Sequence, residues 1–421
     1  MENITFFLSQ LLLHYQRSKK SFYALISLLL LSLLAYNSAT IFCIHLPFPA
    51  KLPPEPASFS PESAAGKPRL FHSVSSAITE QSSNIKLSTL LHKHPKRRKN
   101  YRNAVRILVS TPANKFEARV TKFFKPNSST SSCDLQFFMT WISEAGSFGN
   151  REFFSVESLF KTHPKSCLII ISNSLDSPKG LQILKPFREK GFKVTAVSPN
   201  FNYLFKNTPA ESWYNQLKRG NINPGDISLG QNLSNLLRLG LLYRFGGIYM
   251  DTDIIILKSF HNLKNTIGAQ ALDLATESWS RLNNAVMIFD KGHPLLYKFI
   301  QEFALTFDGN KWGHNGPYLV SRVVSRITGK KGYDFTVLPP SAFYPVDWSR
   351  IGGLFEGPKN ETHLKWLVAK LRQIRRQSFA VHLWNKESRK FKVERGSIMH
   401  HIMFDSCVVR NSSSLAVLDE L

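Results

Sequence analysis

The apolar positions of this chain change period along its length, and each change marks an element. Between Ser21 and Ala50 there is no Lys, Arg, Asp or Glu, and the run Phe22 to Cys43 is long enough to cross a bilayer as a helix. Arg17, Lys19 and Lys20 precede it, which leaves the first residues cytosolic under the positive-inside rule. A cleaved signal peptide ending near His45–Pro49 is the other reading. From Pro47 to Ala104 periodicity stops, Pro and Ser are frequent, and the stretch ends in the basic run His92 to Lys99. Such a composition buries too little apolar surface to fold and predicts a disordered, extended stem. Beyond it, short apolar runs alternate with runs at helical spacing. Strands are expected at Phe137–Ile142, Cys167–Ser172, Phe192–Val197, Thr266–Gln270, Asn284–Phe289 and Phe379–Trp384. Helices are expected at Arg151–Thr162, Pro178–Lys190, His293–Phe307 and Glu361–Gln377. This alternation predicts an α/β sheet. The expected organisation is a cytosolic tail over 1–21, a transmembrane signal-anchor over 22–44, a basic Pro/Ser-rich stem over 45–104 and one lumenal α/β domain over 105–421.

The chemistry centres on one segment, Arg244-Phe-Gly-Gly-Ile-Tyr-Met-Asp-Thr-Asp253. Ser228-Leu-Gly-Gln231 reads as a capping box that opens a helix, and Leu229, Leu233, Leu236, Leu237 and Leu241 recur at helical spacing. Gly246 and Gly247 break it where a helix end favours positive φ. The strand that follows is expected to end in Asp251 and Asp253, whose i, i+2 spacing puts both carboxylates on one face. Hard oxygen ligands facing one cavity suit Mn²⁺ or Mg²⁺, which in turn holds a diphosphate. A bare D-x-D is common in solvated turns; the helix, the glycine break and a strand end at the edge where α/β sheets bind ligands lift it above that background. Arg238 on the helix has two readings, a partner for a diphosphate or for a nearby carboxylate.

Three motifs in order carry a family resemblance. Ser234 to Phe260, with Arg238, Tyr243, the FGGIYMDTD run and Leu257-Lys-Ser-Phe260, resembles the DXD sugar-binding region of the α1,4-galactosyltransferase/initiation-specific α-mannosyltransferase family, its plant members above all. Trp312-Gly-His-Asn-Gly-Pro-Tyr-Leu-Val320 and Ala380-Val-His-Leu-Trp-Asn385 resemble the family's C-terminal α1,4-glycosyltransferase region. The likeness spans about Phe137 to Phe404. It implies a GT-A (Rossmann-like) fold in a Golgi-lumenal, type II membrane enzyme. The implied reaction moves a hexosyl group, galactose first among them, from a UDP-sugar to a glycolipid or glycan acceptor, with retention and an α-linkage. It further implies that Asp253 binds the metal, that Asp251 contacts metal or ribose, and that His382 completes the metal shell; a lone His in an apolar strand is otherwise a core residue. Arg238 is an implied donor contact; Asn283 and Asn284 have two readings, donor-sugar contacts or turn residues; and His314, Asn315 and Gly316 shape the acceptor side. Asn235 stands where many relatives carry aspartate. A catalytically inactive glycan-binding scaffold of the same fold is the alternative.

Composition narrows the classes further. The chain has 421 residues, 43% of them hydrophobic, and a formal net charge of +25, enough for one large domain or two smaller ones. The stem holds ten Lys/Arg against three Asp/Glu. No zinc spacing, RNA-recognition signature or basic-aromatic stripe accompanies the charge, so nucleic acid is set aside as a partner; acidic lipids or glycans fit better. Cys133, Cys167 and Cys407 allow one disulfide with one thiol left over, and Cys167, opening an apolar strand, reads as a buried free thiol. Asn127, Asn232, Asn360 and Asn411 begin N-x-S/T sites, of which Asn232, inside the predicted helix, is expected to stay unmodified. The helix Glu361–Gln377 is basic around an apolar stripe, which suits either ordinary packing or a membrane-facing surface.

Overall fold

The computed structural model describes residues 111–125, 133–273 and 275–409. The expected tail, membrane anchor and stem, and the sites at Asn127 and Asn411, lie outside these residues. No helix among the described residues is long and apolar enough to cross a membrane.

Among the described residues there are nine strands, in chain order: β1 Gln136–Thr140, β2 Cys167–Ile171, β3 Lys193–Val197, β4 Gly247–Met250, β5 Ile254–Ile256, β6 Thr266–Leu272, β7 Trp279–Phe289, β8 Thr336–Leu338 and β9 Ala380–His382. Seven form one sheet in the order β3-β2-β1-β4-β7-β6-β8, while β5 and β9 pair separately. β3, β2, β1 and β4 run parallel; β7 is antiparallel to both β4 and β6. The expected α/β class therefore holds, as a mixed sheet.

Alternation along the central strands explains the layers. Phe138, Ile169, Cys167 and Tyr249 face one apolar cluster, where they meet Leu233, Leu236 and Leu237 of the helix Leu229–Phe245 and Phe299 and Phe303 of the helix Pro294–Thr306. Phe137, Met139, Leu168 and Ile170 face the other, against Val156, Leu159 and Phe160 of the helix Asn150–Thr162 and Leu184 and Phe187 of Pro178–Glu189. A sheet covered on both faces requires continuous apolar strands, which is why Cys-Leu-Ile-Ile-Ile shows no polar alternation. A third cluster joins Ile255 and Val381 of the small sheet to Leu367, Leu371 and Ile374 of the helix Glu361–Gln377 and Ile402 and Met403 of Ile398–Ser406.

Several expectations are corrected. The capping box does not form: Ser228 is the N-cap, but its side chain makes no cap hydrogen bond. β7 begins earlier than expected, at Trp279, and so takes in Asn283. Helices over Ala113–Phe124, Phe201–Phe205 and Pro209–Lys218 were not foreseen. Cys167 is not a free thiol; it is bonded to Cys133, and Cys407 takes no part in that disulfide. The short edge Cys133–Leu135 runs in beside β2, with the Asp134 amide donating to the Lys165 carbonyl at 3.3 Å and the Cys167 amide to Leu135 at 3.0 Å, so the two sulfurs meet. The bridge closes a loop of sequence separation 34, worth about 3–4 kcal/mol on loop-closure entropy. Urea unfolding should show Cys133→Ser less stable by about that amount, and reductant should lower the native chain to the level of the variant while leaving the variant unchanged.

Candidate active site

Thr140 and Asp251 sit at the C-terminal ends of β1 and β4, the edge where open α/β sheets bind ligands. The Asp-Thr-Asp segment is not on a strand, contrary to the sequence expectation. The Asp251 amide donates to the Ala285 carbonyl at 2.8 Å and so makes the last rung of the ladder to β7. The chain then turns and leaves the large sheet, and β5 pairs with β9 instead, with Ile254 opposite His382. The Leu383 amide closes this junction on the Asp253 carbonyl at 2.8 Å. A switch between sheets thus carries both carboxylates and His382 to one place. One ligand atom from each of Asp251, Asp253 and His382 lies within 4.8 Å of the others. Two carboxylates and an imidazole are a donor set that fits a divalent ion such as Mn²⁺.

The carboxylates are held differently. The Asp253 Oδ1 lies 3.3 Å from Nε2 of His382, and its Oδ2 accepts from the Asn385 amide at 3.0 Å. Burial opposes its ionisation, but the His382 charge and hydrogen bond, with the Asn385 amide, outweigh burial and hold the carboxyl at about 2. For Asp251 burial prevails: despite the Arg238 charge, burial and the neighbouring Asp253 push its carboxyl above the ordinary carboxylate range.

Arg238 is the brace of the site. Its guanidinium reaches Asp251 Oδ1 at 2.8 Å and Oδ2 at 3.2 Å and donates to the Asn284 carbonyl at 2.6 Å and to Ser234 Oγ at 3.2 Å. It lies 4.4 Å over the Tyr249 ring, whose hydroxyl donates to Asp251 Oδ1 at 2.8 Å. Of the two sequence readings, the carboxylate partner is the one the geometry displays, and that carboxylate belongs to the D-x-D itself. At 4% exposure and with these partners, Arg238 has little left to offer a donor phosphate. Three donors on Asp251 leave one lone pair, on Oδ2, so Asp251 offers a single oxygen to a ligand.

The remaining predicted residues form a buried amide seam behind the brace. Asn284 Nδ2 donates to Asn235 Oδ1 at 2.9 Å, and Asn315 Nδ2 donates to Asn232 Oδ1 at 3.0 Å. A Cβ at Gly316 would stand 2.8 Å from Asn235 Oδ1, so the glycine lets the loop lie against the site helix. Asn283 Nδ2 reaches Gln270 at 3.0 Å, and His314 Nε2 faces the Thr306 carbonyl at 2.8 Å. Asn283, Asn284 and Asn315 are buried. The Asn315 amide is held inside the fold, donating to Asn232 and to the Asp308 carbonyl. Asn232 is also buried, whereas Asn360 is exposed as a helix N-cap. Sequence reading missed Tyr249, Asn385 and Trp384, whose ring stands edge-on to His382 at 4.0 Å. All three stand inside the motif runs quoted above, and that membership was their signal.

Two family models match this domain in order. The glycosyltransferase sugar-binding region containing the DXD motif matches residues 149–272, and the alpha 1,4-glycosyltransferase conserved region matches 288–414. An uncharacterized protein of Arabidopsis thaliana is 29% identical over 70% of this chain and 45% of its own length. Lactosylceramide 4-alpha-galactosyltransferase is 32% identical over 58% of this chain, covering 65% of the Mus musculus protein and 72% of that of Gorilla gorilla gorilla. The chain thus spans less than two thirds of the Arabidopsis and mouse relatives. The solved galactosyltransferase LgtC, bound to donor and acceptor sugar analogs, overlaps 68% of this chain and all of its own at 11% identity and a TM-score of 0.36, a likeness from which nothing about activity follows. With both regions of the family in order, meeting at the Asp251–Asp253–His382 cluster, the chain belongs to the α1,4-glycosyltransferase family that includes lactosylceramide 4-alpha-galactosyltransferase.

Proposed function

We propose that this domain transfers a hexosyl group, galactose first among candidates, from a UDP-sugar to a glycan or glycolipid hydroxyl, with a divalent ion and with retention. The convergence of Asp251, Asp253 and His382 at the C-terminal edge of the sheet carries the reading. Those three side chains would hold Mn²⁺ or Mg²⁺, whose charge offsets that of the departing diphosphate. The chain's own residues keep the site in place. Arg238 and Tyr249 fix Asp251, and the Asn385 amide with His382 fixes Asp253 as a carboxylate. At the sugar, the C1–O bond to the diphosphate breaks through an oxocarbenium-like state and the bond to the acceptor oxygen forms on the same face. The acceptor proton passes to the leaving phosphate oxygen, so no protein nucleophile is needed. Lactosylceramide, the acceptor named for the mammalian relatives, supports a glycolipid acceptor here. The Cys133–Cys167 bond supports an oxidising lumen, and with the uncharged stretch from Ser21 to Ala50 it supports a type II Golgi membrane protein.

The test is donor hydrolysis across UDP- and GDP-sugars with Mn²⁺. Nucleotide diphosphate should be released from a single UDP-sugar, abolished by EDTA and restored by excess Mn²⁺. A folded chain that releases nothing and binds no donor would instead be a glycan-binding scaffold.

A further inference from the structure

The helix Glu361–Gln377 buries Leu367, Leu371 and Ile374, and that inner stripe meets its packing needs. Yet Trp366 and Leu364 remain 48% and 44% exposed, and the adjoining turn Trp348–Leu354 leaves Trp348 at 47%. The two segments form one surface: Gly353 lies beneath Trp366, with room for a Cβ only at 4.0 Å from the indole, and Arg350 is close enough to Lys370 to act on its charge. Cations surround the indoles. The helix carries Lys365, Lys370, Arg372, Arg375 and Arg376 against the single carboxylate Glu361, and of these Arg375 is paired with Asp405 on the neighbouring helix. On the turn, Arg350 is exposed, while the flanking Asp347 accepts from the Ser349 amide and hydroxyl.

We propose that this surface, Trp348, Arg350, Leu364, Lys365, Trp366 and Lys370, is where the domain rests on an anionic lipid bilayer. Indole rings favour the boundary between headgroups and acyl chains. Lysine and arginine stems lie along apolar surface with their charges outward, at headgroup level, where a basic amphipathic face is drawn to acidic lipid on whichever leaflet carries it. A soluble polyanion would use the cations but would leave the exposed leucine and indoles uncovered, which is why a membrane is the better match. A short chain of contacts links this surface to the active site. Val346, two residues before Trp348, accepts through its carbonyl from Trp384 Nε1 at 2.9 Å, and Trp384 stands against His382. Seated this way, the domain holds the Asp251–Asp253–His382 cluster beside the lipid surface. The consequence for a membrane-embedded acceptor rests on the glycosyltransferase reading; the docking itself does not.

All seven tryptophans lie at or beyond Trp141, so lipid quenching of indole fluorescence reports this domain and not the expected anchor. The full chain is placed in nanodiscs of dibrominated phosphatidylcholine with and without phosphatidylserine. Quenching should be strong with phosphatidylserine and weak without it. Trp348→Phe with Trp366→Phe should remove most of it, while Trp312→Phe leaves it intact. A second variant, Arg350→Gln with Lys365→Gln and Lys370→Gln, keeps all tryptophans and should abolish the dependence on phosphatidylserine. Equal quenching in the chain and both multiple variants, or full suppression by heparin with no response to phosphatidylserine, overturns the proposal. Hydrolysis of a soluble UDP-sugar in the same discs should be unchanged in both multiple variants. A chain that is quenched but releases no nucleotide would sink the enzymatic reading alone.

Discussion

Asp253→Asn should lower metal-dependent turnover by about a thousandfold or more, with little change in stability. The expected size follows from removing a charge that fixes a Lewis acid at the leaving group, where one well-placed electrostatic contact is worth roughly 3–4 kcal/mol and loss of the ion costs more. Geometry explains why the fold survives. The Asn385 amide needs only an oxygen acceptor, which asparagine retains at Oδ1. The other oxygen, which faces Nε2 of His382 at 3.3 Å, becomes an amide with no charge and no lone pair for a metal. Asp253, held at about 2, is a carboxylate throughout any working pH range, so the variant loses a full charge. The check is Mn²⁺ binding by calorimetry beside turnover with a UDP-sugar. His382→Ala, which leaves both carboxylates, should fall less, by about ten- to a hundredfold. Unchanged Mn²⁺ affinity in Asp253→Asn would place the metal, if there is one, elsewhere.

The sequence showed the central strands clearly, because β1 and β2 are buried on both faces and their apolar runs have no competing reading. It showed the Leu-rich helix and the glycine break for the same reason. What it could not show was pairing. β5 and β9 have three residues each, too few for a period, and the contact that brings His382 to Asp253 joins residues more than a hundred positions apart. Hence the two aspartates were read along a strand, while the chain in fact turns between two sheets. Arg238 was legible as a cation near the site but not as the counter-ion of Asp251, since that depends on which helix face lies over β4. Polar side chains in the interior misled most. Asn232, Asn235, Asn283, Asn284 and Asn315 look like surface or turn residues in sequence, and their partners are visible only once β7, the site helix and the loop before Pro317 are brought together.

Arg238→Met tests whether that brace is structural, catalytic or both. Methionine can keep contact with the Tyr249 ring but leaves Asp251 without its cation. Removing one partner of a buried ion pair typically costs about 3–5 kcal/mol, because the other charge stays in low dielectric. Asp251 is already pushed up by burial with Arg238 present; without the guanidinium it should take up a proton, which relieves part of the cost and removes a metal ligand. Turnover should therefore fall together with stability. The double variant Arg238→Met/Asp251→Asn separates the two effects. With neither charge buried, most of the lost stability should return, as for other buried pairs replaced together. Turnover should not return, because Asp251 itself is gone. Arg238→Lys should recover little of either property, since one ammonium cannot reach both Asp251 oxygens, the Asn284 carbonyl and Ser234 as the guanidinium fork does. Chemical denaturation of the four proteins, with donor hydrolysis on the same samples, gives the cycle. Stability of Arg238→Met within about 1 kcal/mol of the native chain would mean the buried pair contributes nothing net, and Arg238 would then have to act on the donor directly.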